Sequence, residues 1–319
     1  MNENAPFFIV GVPRSGTTLL RTLVCEHPQI AIPPETHFIC TWMQKYSSPQ
    51  DCWENYAATP EFSTLMIDPV KVSERIKQQS TNANGFYKIF NSILIEYASS
   101  KQKKRVGEKT PGNYEHLDTI FSWYPNCKII WIIRDPRALC ASYLKTPWSK
   151  DDVLIPAFRW RKSMTLLNKW KEDHRILAID YENLILKPKN TLKLVWEFLG
   201  EESVTIDYTN RSSFTDKDKC TNKWEYSHLV AASRPISTQP LNKWKAELSS
   251  RQIELIEFIS QAGMKQKQYT IAPKKTLIKR TWTLIALLWQ LIKKPHIVLT
   301  SLYNKISKLI FKSEHTFTQ

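Results

Sequence analysis

The stretch FFIVGVPRSGTTLLRTL, Phe7 to Leu23, constrains the fold of this chain more than any other. Its first four residues are apolar, and a run of that length suits a single buried strand. A loop with two glycines follows, and the leucines after the loop have helical spacing. A strand, a glycine-bearing loop and a helix in this order form an anion-binding cradle. The reason is that backbone N–H groups converge in the loop, and the helix N-terminus adds the positive end of its dipole.

The loop has the glycine spacing of a nucleotide-binding P-loop but a different chemistry. Gly11 and Gly16 are separated by four residues, yet Thr17 occupies the position of the P-loop lysine. The cation of this loop is Arg14. We therefore expect Arg14, Ser15, Gly16, Thr17 and Thr18 to bind a phosphate without a magnesium ion. A P-loop kinase is the alternative enzyme, although it requires the missing lysine and a magnesium-binding aspartate.

A second candidate site follows the next predicted strand, residues 30 to 32. Glu35 and His37 lie on a proline-stiffened loop, which we place at the same end of the sheet as the cradle. Open α/β sheets bind ligands at that end. Either residue can act as a general base, since both residue types do so in enzymes.

Two further apolar runs predict buried strands, at Lys128–Ile133 and Ile176–Asp180. The first ends at Arg134 and is followed by a predicted helix from Pro136 to Leu144, with proline in its first turn. We predict an α/β fold, a P-loop NTPase-like three-layer sandwich with a mostly parallel sheet. Residues 39 to 100 have no strong strand signal, and we expect a helical cap over the acceptor pocket at about residues 39–105.

The string PRSGTTLLR after FFIVGV resembles the 5′-phosphosulfate loop of sulfotransferases that use 3′-phosphoadenosine-5′-phosphosulfate (PAPS). It is more similar to the Golgi and bacterial branch, including protein-tyrosine sulfotransferases, than to the cytosolic branch, which has lysine in place of Arg14. The resemblance covers about residues 6 to 265. It implies transfer of a sulfuryl group from PAPS to a hydroxyl or amine, and no metal is called for.

The resemblance also implies roles for two residues in the chemistry. The pair Glu35-Thr36 is similar to the family's Glu-Thr pair, whose glutamate is the general base. Lys109, in the string Glu-Lys-Thr-Pro, matches a lysine that approaches the sulfuryl group. There, together with Arg14, it would stabilise developing negative charge. His37 stands where the tyrosine enzymes have arginine, so the acceptor need not be a tyrosyl peptide.

The remaining matches imply cofactor-binding residues. Arg134 and Ser142, eight residues apart, resemble the arginine and serine that hold the 3′-phosphate of PAPS. Arginine suits this role because its guanidinium binds phosphate through two hydrogen bonds. Tyr181, in the string Tyr-Glu-Asn-Leu, would lie near the adenosine or its phosphate. Arg234, followed by Pro235 and later by a tryptophan, would contact the cofactor phosphates.

The six cysteines are scattered without a C-x-x-C motif, which favours a reducing compartment and argues against a zinc site. The first residues, MNENAP, have no visible secretory signal. We therefore expect a cytoplasmic protein.

The net charge of +15 is concentrated near the C-terminus. Residues 258 to 313 contain eleven Lys or Arg and no Asp or Glu, so the rest of the chain has 34 basic and 30 acidic residues. We divide the chain into a catalytic domain, residues 1–268, and a basic amphipathic tail, residues 269–319.

The longest uncharged run of this tail, residues 281 to 292, is too short to span a membrane. Apolar residues framed by lysines are typical of helices that bind anionic membrane surfaces, which here would be the inner membrane face. The alternative is docking on the body or on a second copy of the chain in a homodimer. Nucleic acid is a poorer third partner, because no recognisable motif accompanies the charge.

The sequence leaves two properties undecided: the identity of the acceptor and whether the protein is catalytically active. The acceptor can be a small molecule, a glycan, a lipid or a peptide. A rival of another class is a membrane-associated scaffold that binds PAPS but has lost catalysis.

Overall fold

The computed structural model describes residues 5–80, 83–149, 152–208, 230 and 232–271. A five-stranded sheet in the order β2-β3-β1-β4-β5 forms its centre, and every strand pair is parallel. The strands are β1 Phe7–Val10, β2 Ile30–Ala31, β3 Arg105–Glu108, β4 Lys128–Ile133 and β5 Ile176–Asp180. β1 lies between β3 and β4, with Phe7 opposite both Gly107 and Lys128. The prediction of a parallel α/β sheet is confirmed.

Helices cover both faces of the sheet. Because side chains alternate along a strand, Phe7 and Ile9 of β1 join one buried apolar cluster, whereas Phe8 and Val10 join another. The sheet is thus the middle of three layers, as predicted. The helices are α1 Thr17–Val24, α2 Pro49–Ala57, α3 Pro60–Ser63, α4 Pro69–Gln78, α5 Gly85–Ser100, α6 Leu117–Trp123, α7 Pro136–Leu144, α8 Leu154–Lys169, α9 Tyr181–Leu186, α10 Pro188–Leu199, α11 Gln239–Asn242, α12 Trp244–Glu247 and α13 Ser250–Gln266. Single helical turns also occur at Phe38–Trp42 and Pro111–His116.

Within the described residues, the segment between β2 and β3 consists of helices joined by loops and contains no strand, as expected for the cap. The sequence predicts helices in this segment around residues 38–45, 69–79 and 86–99, so α2 and α3 are two helices that it did not predict. Both have proline in the first turn and a capping hydroxyl, from Ser48 and Thr59 respectively, that accepts a backbone N–H hydrogen bond. These are ordinary helix-start signals, but the short amphipathic pattern after them is weak.

Strand β3 was also not predicted, because Val106 is the only aliphatic residue among its four. A glycine is required in its centre, since a Cβ atom on Gly107 would lie 2.4 Å from Cζ of Phe7. The absence of a side chain lets β3 approach β1 closely, but it also removes the strand signal from the sequence.

Several predicted features lie outside the described residues: the apolar segments of the tail and most of the polar segment 201–233. Within the described part of the chain, no helix combines the length and apolar character needed to cross a membrane. Nor do three His, Cys, Asp or Glu side chains come together there as a metal-binding group.

Candidate active site

The loop between β1 and α1 has the strained backbone of a tight anion cradle. Gly16 has a φ of 98° and Arg14 a φ of 79°, both in the left-handed region, which is unusual for a residue with a side chain. A Cβ atom on Gly16 would lie 2.3 Å from Cδ2 of Tyr181, so the tyrosine ring packs directly against the loop. α1 begins at the next residue, Thr17, and its first backbone N–H groups therefore adjoin the loop.

Four of the proposed cofactor-binding residues lie together beside this loop. Nε of Arg14 donates a hydrogen bond to Oγ of Ser142 at 3.1 Å. Nη1 of Arg134 donates to the carbonyl oxygen of Arg14 at 3.0 Å. The guanidinium of Arg134 lies over the ring of Tyr181, 4.4 Å from its centroid. The strand-end arginine and the loop arginine are therefore neighbours on the same edge of the sheet.

The electrostatics of this pair fit an anionic ligand. Burial is the main cause of a lowered pKa of Arg14, to about 10, and repulsion from Arg134 adds to it. Nε of Arg134 is buried without a hydrogen-bond partner among the described residues. A buried donor without an acceptor is unfavourable, and a phosphate would satisfy it while neutralising both arginines. These residues therefore fit the phosphates of PAPS.

A second cluster joins the proposed base to the loop. Nζ of Lys109 forms an ion pair with Oε1 of Glu35 and lies 3.5 Å from Oγ1 of Thr18, in the first turn of α1. Lys109 is buried, and this desolvation lowers its pKa, whereas the nearby Glu35 carboxylate acts in the opposite direction. The structure thus places the two predicted catalytic residues in direct contact, beside a predicted phosphate ligand.

Glu108 is a buried residue of this site that sequence reasoning did not assign. Its carboxylate accepts hydrogen bonds from Oγ1 of Thr36 at 2.9 Å, from the backbone N–H of Thr110 at 3.1 Å and from Nδ2 of Asn113 at 2.7 Å. Burial raises the pKa of Glu108, and the threonine hydrogen bonds oppose this effect. Glu108 therefore ties the loop that carries Glu35 to the strand end that carries Lys109. Its position directly before the lysine was the only signal in the sequence.

His37 lies on the solvent side of Glu35. Its Nε2 is 3.5 Å from Oε2 of Glu35, and the side chains are 43% and 30% exposed, respectively. His37 has a φ of 49°, and its backbone N–H donates to Oγ1 of Thr110 at 3.3 Å. Both candidates for the general base are thus at one place and accessible from solvent, and the choice between them stays a prediction.

The segment after residue 230 contacts both α1 and Arg134. Oγ1 of Thr22 on α1 donates to the carbonyl of Ala232 at 3.3 Å, and Arg234 is exposed two residues further on. Its proposed contact with the cofactor phosphates stays a prediction. Nη2 of Arg134 donates to the carbonyl of Pro240 at 3.1 Å. The sequence does not predict this contact, because every residue has a backbone carbonyl that can accept a hydrogen bond.

Comparison with known proteins identifies the class to which this fold and site belong. The model of the "Sulfotransferase family" matches residues 6–205, so the chain belongs to the sulfotransferase family. It is 25% identical over 209 residues to protein-tyrosine sulfotransferase A of Caenorhabditis elegans, covering 62% of this chain and 50% of the relative. It is also 25% identical over 252 residues to protein-tyrosine sulfotransferase 2 of Gallus gallus, covering 74% and 62%, respectively. The chain thus spans between half and two thirds of the length of these relatives.

A solved structure supports the fold. The sulfotransferase domain of the Synechococcus PCC 7002 olefin synthase superposes with a TM-score of 0.57 at 19% identity, covering 81% of this chain and 95% of that domain. The family match and the relatives confirm the prediction of a PAPS-dependent sulfotransferase similar to protein-tyrosine sulfotransferases.

Proposed function

We propose that this chain transfers the sulfuryl group of PAPS to a hydroxyl or amine of its acceptor, with Glu35 as the general base. One observation carries the proposal: Lys109 bridges Glu35 and Thr18, so the base is held at the edge of the phosphate loop. A base in this position can reach an acceptor that approaches the sulfuryl group. Proximity of this kind is a major part of enzymatic rate enhancement.

The two ends of the cofactor would be held by different residues. The backbone of the loop, with Ser15, Thr17 and Thr18, would hold the 5′-phosphosulfate at the N-terminus of α1. Arg134 and Ser142 would hold the 3′-phosphate, and the ring of Tyr181 would support the nucleotide. ATP has no 3′-phosphate, so this arrangement would favour PAPS and its product, adenosine 3′,5′-bisphosphate.

The charged side chains have distinct tasks in the transfer. PAPS supplies the activated sulfuryl group. Glu35 takes the acceptor proton, while Lys109 and Arg14 stabilise negative charge on the oxygens around the sulfur and the leaving phosphate. Buried cations are effective in this role because the surroundings screen them less than water does. The ion pair with Glu35 favours the protonated form of Lys109 against the effect of burial.

Calorimetric titration tests the cofactor part of the proposal. We expect adenosine 3′,5′-bisphosphate to bind much more tightly than ATP. In Arg134→Ala its affinity should fall about 10- to 100-fold, the usual range for losing a charge-assisted hydrogen bond. Arg161→Ala is the matched control, because Arg161 is exposed on α8. Equal binding of the two nucleotides, or magnesium-dependent turnover of ATP, would instead favour the kinase.

Transfer to an acceptor, and the role of Glu35 in it, require separate measurements. Tight PAPS binding without transfer to any acceptor, together with an unaltered Glu35→Gln variant, would favour the scaffold. The names of the two relatives give protein tyrosine as their acceptor. For this chain, small molecules, glycans, lipids and peptides are all candidate acceptors. We propose a lipid or glycan at the cytoplasmic face of the membrane, because the basic tail complements an anionic surface.

Vesicle sedimentation tests the membrane proposal. The full chain should sediment with vesicles containing phosphatidylglycerol but not with vesicles of phosphatidylcholine alone. Replacing Lys305, Lys308 and Lys312 by glutamate in the full chain should abolish sedimentation, since each basic residue contributes about 1 kcal/mol near such a surface. The proposal would be contradicted if the protein sedimented equally with both kinds of vesicle and the substitutions left sedimentation unchanged.

A further inference from the structure

The chain makes a sharp turn after α13 and then runs along the ends of β4 and β5. The backbone N–H of Tyr269 donates to the carbonyl of Met264 at 2.9 Å, and that of Gln268 donates to Lys265 at 3.1 Å. Gln268 has a φ of 56°. This is a helix-ending motif with a left-handed residue after the cap. We call residues 267–271, which follow it, the C-terminal strap.

The C-terminal strap contacts the strand ends that carry the nucleotide-binding residues. Nζ of Lys267 pairs with Oδ1 of Asp180 at 2.5 Å. The hydroxyl of Tyr269 donates to Oε2 of Glu182 at 3.0 Å. The carbonyl of Thr270 accepts a hydrogen bond from Arg137 at 2.7 Å. Two of these contacts flank Tyr181, whose ring supports Arg134.

Two carboxylates border Arg134, and both are bound by other donors: Asp135 follows it in the chain, and Glu182 follows Tyr181, whose ring lies under the Arg134 guanidinium. Asp135 accepts two hydrogen bonds from the Arg137 guanidinium, at 3.0 and 2.7 Å. Glu182 accepts the backbone N–H of Asp135 through Oε1 at 2.9 Å, and Tyr269 occupies its other oxygen. Each carboxylate next to Arg134 therefore has a donor that the C-terminal strap supplies or supports.

Arg134 itself has only neutral acceptors. Its hydrogen bonds go to the carbonyls of Arg14 and Pro240, and within the described residues no carboxylate accepts a hydrogen bond from it. An arginine paired with a carboxylate would have to give up that partner before binding a phosphate. The arrangement here leaves the charge of Arg134 available.

We infer that the C-terminal strap is a positioning element of the cofactor site, in which Tyr269 holds Glu182 away from Arg134 and so preserves its charge for the 3′-phosphate. This inference rests on the proposed role of Arg134. The C-terminal strap itself lies beyond the part of the chain that matches the family, which ends at residue 205.

The environment of Glu182 explains why its donor matters. Burial raises the pKa of Glu182, whereas the bonds from Asp135 and Tyr269 lower it. Without the Tyr269 hydroxyl, the buried carboxylate would need another donor. We expect Arg134 to supply it, because its guanidinium lies 4.4 Å from the ring centroid of Tyr181, the residue before Glu182, and the residue after Arg134 already donates to Glu182. Binding of a 3′-phosphate would then compete with this internal ion pair.

Calorimetry of the full chain tests the inference with two nucleotides, adenosine 3′,5′-bisphosphate and AMP, which lacks the 3′-phosphate. Tyr269→Phe should weaken binding of the bisphosphate about 3- to 10-fold, the range for one hydrogen bond, and leave AMP binding unchanged. Tyr124→Phe is the matched control, because it also removes a buried tyrosine hydrogen bond, to Asn91 at 3.2 Å, outside the nucleotide site. It should change neither affinity.

A second variant separates positioning from simple structural support. In Glu182→Gln the charge that competes for Arg134 is absent, so adding Tyr269→Phe to it should have no further effect on the bisphosphate. Three results would overturn the inference: an unchanged preference for the bisphosphate in Tyr269→Phe, equal weakening of both nucleotides, or the same loss in the Glu182→Gln background. A wild-type protein that does not distinguish the two nucleotides would instead refute the role of Arg134, and the inference with it.

Discussion

The ion pair of Glu35 and Lys109 allows a prediction of how three variants differ in stability and catalysis. We consider Glu35→Gln, Lys109→Met and the double variant. Glu35→Gln keeps the shape of the side chain but leaves a buried cation without its carboxylate. Lys109→Met removes the cation and keeps an apolar side chain of similar length. The double variant contains neither charge.

The size of the effect follows from burial. Removing one partner of a fully buried pair destabilises a protein by about 3–5 kcal/mol, because the other charge stays unpaired. Here the Lys109 side chain is 4% exposed and that of Glu35 is 30% exposed. Solvent screening at Glu35 reduces the cost, and we expect Glu35→Gln to destabilise the fold by about 2 kcal/mol. The double variant should be more stable than Glu35→Gln alone, since it has no unpaired charge.

The destabilisation of Glu35→Gln should also depend on pH. The pKa of Lys109 in the folded protein lies below its ordinary value of 10.5, and loss of Glu35 lowers it further. At pH values below the pKa that Lys109 has in the folded Glu35→Gln variant, its unpaired charge lowers the free energy of unfolding by the full amount. As the pH rises through that pKa toward 10.5, the folded protein holds a neutral lysine and the difference from wild type shrinks.

Urea unfolding at several pH values measures these differences, and turnover measures catalysis. Loss of a general base lowers kcat by a factor of about 10²–10⁴. The exposed pair Lys162–Glu115 is the control, and Glu115→Gln should destabilise by less than about 1 kcal/mol. The reasoning would be refuted if the double variant lost as much stability as both single variants together, or if Glu35→Gln kept wild-type kcat.

Two further predictions concern the architecture of the site. Gly16→Ala should weaken binding of adenosine 3′,5′-bisphosphate more than about 10-fold by calorimetry, because the new methyl group meets the Tyr181 ring at 2.3 Å in a left-handed backbone; unchanged affinity would show that the ring moves aside at little cost. Glu108→Leu should lower the free energy of unfolding by about 3 kcal/mol, since it leaves donors from Thr36, Thr110 and Asn113 buried without an acceptor; urea unfolding within about 0.5 kcal/mol of wild type would contradict the importance of this residue for the site.

The sequence predicts those parts of the fold whose signals are local. β1, β4 and β5 are largely apolar runs; Arg134 follows β4 directly, and Arg14 stands four residues after the end of β1. In a parallel sheet these ends meet at one edge, so the pattern along the chain carries over into space.

The remaining features depend on contacts between distant residues. The hydrogen bond between Tyr269 and Glu182 spans 87 positions, and that between Thr36 and Glu108 spans 72. Glu182, Glu108 and Thr36 lie in strings that the sequence analysis singles out, but a local string does not show which distant residue each of them binds. β3 could not be predicted for a related reason. The ring of Phe7, on another strand, leaves room only for a glycine at position 107, and a glycine weakens the strand signal.

The position of β1 in the middle of the sheet has a consequence for synthesis of the protein. Of the five strands this one leaves the ribosome first, but its neighbours β3 and β4 begin only at Arg105 and Lys128. Until β3 has emerged, Phe7–Val10 has no sheet partner, and four consecutive apolar residues remain open to association with other chains. In a nascent chain, β1 therefore needs protection until translation has passed β3, about 100 residues later.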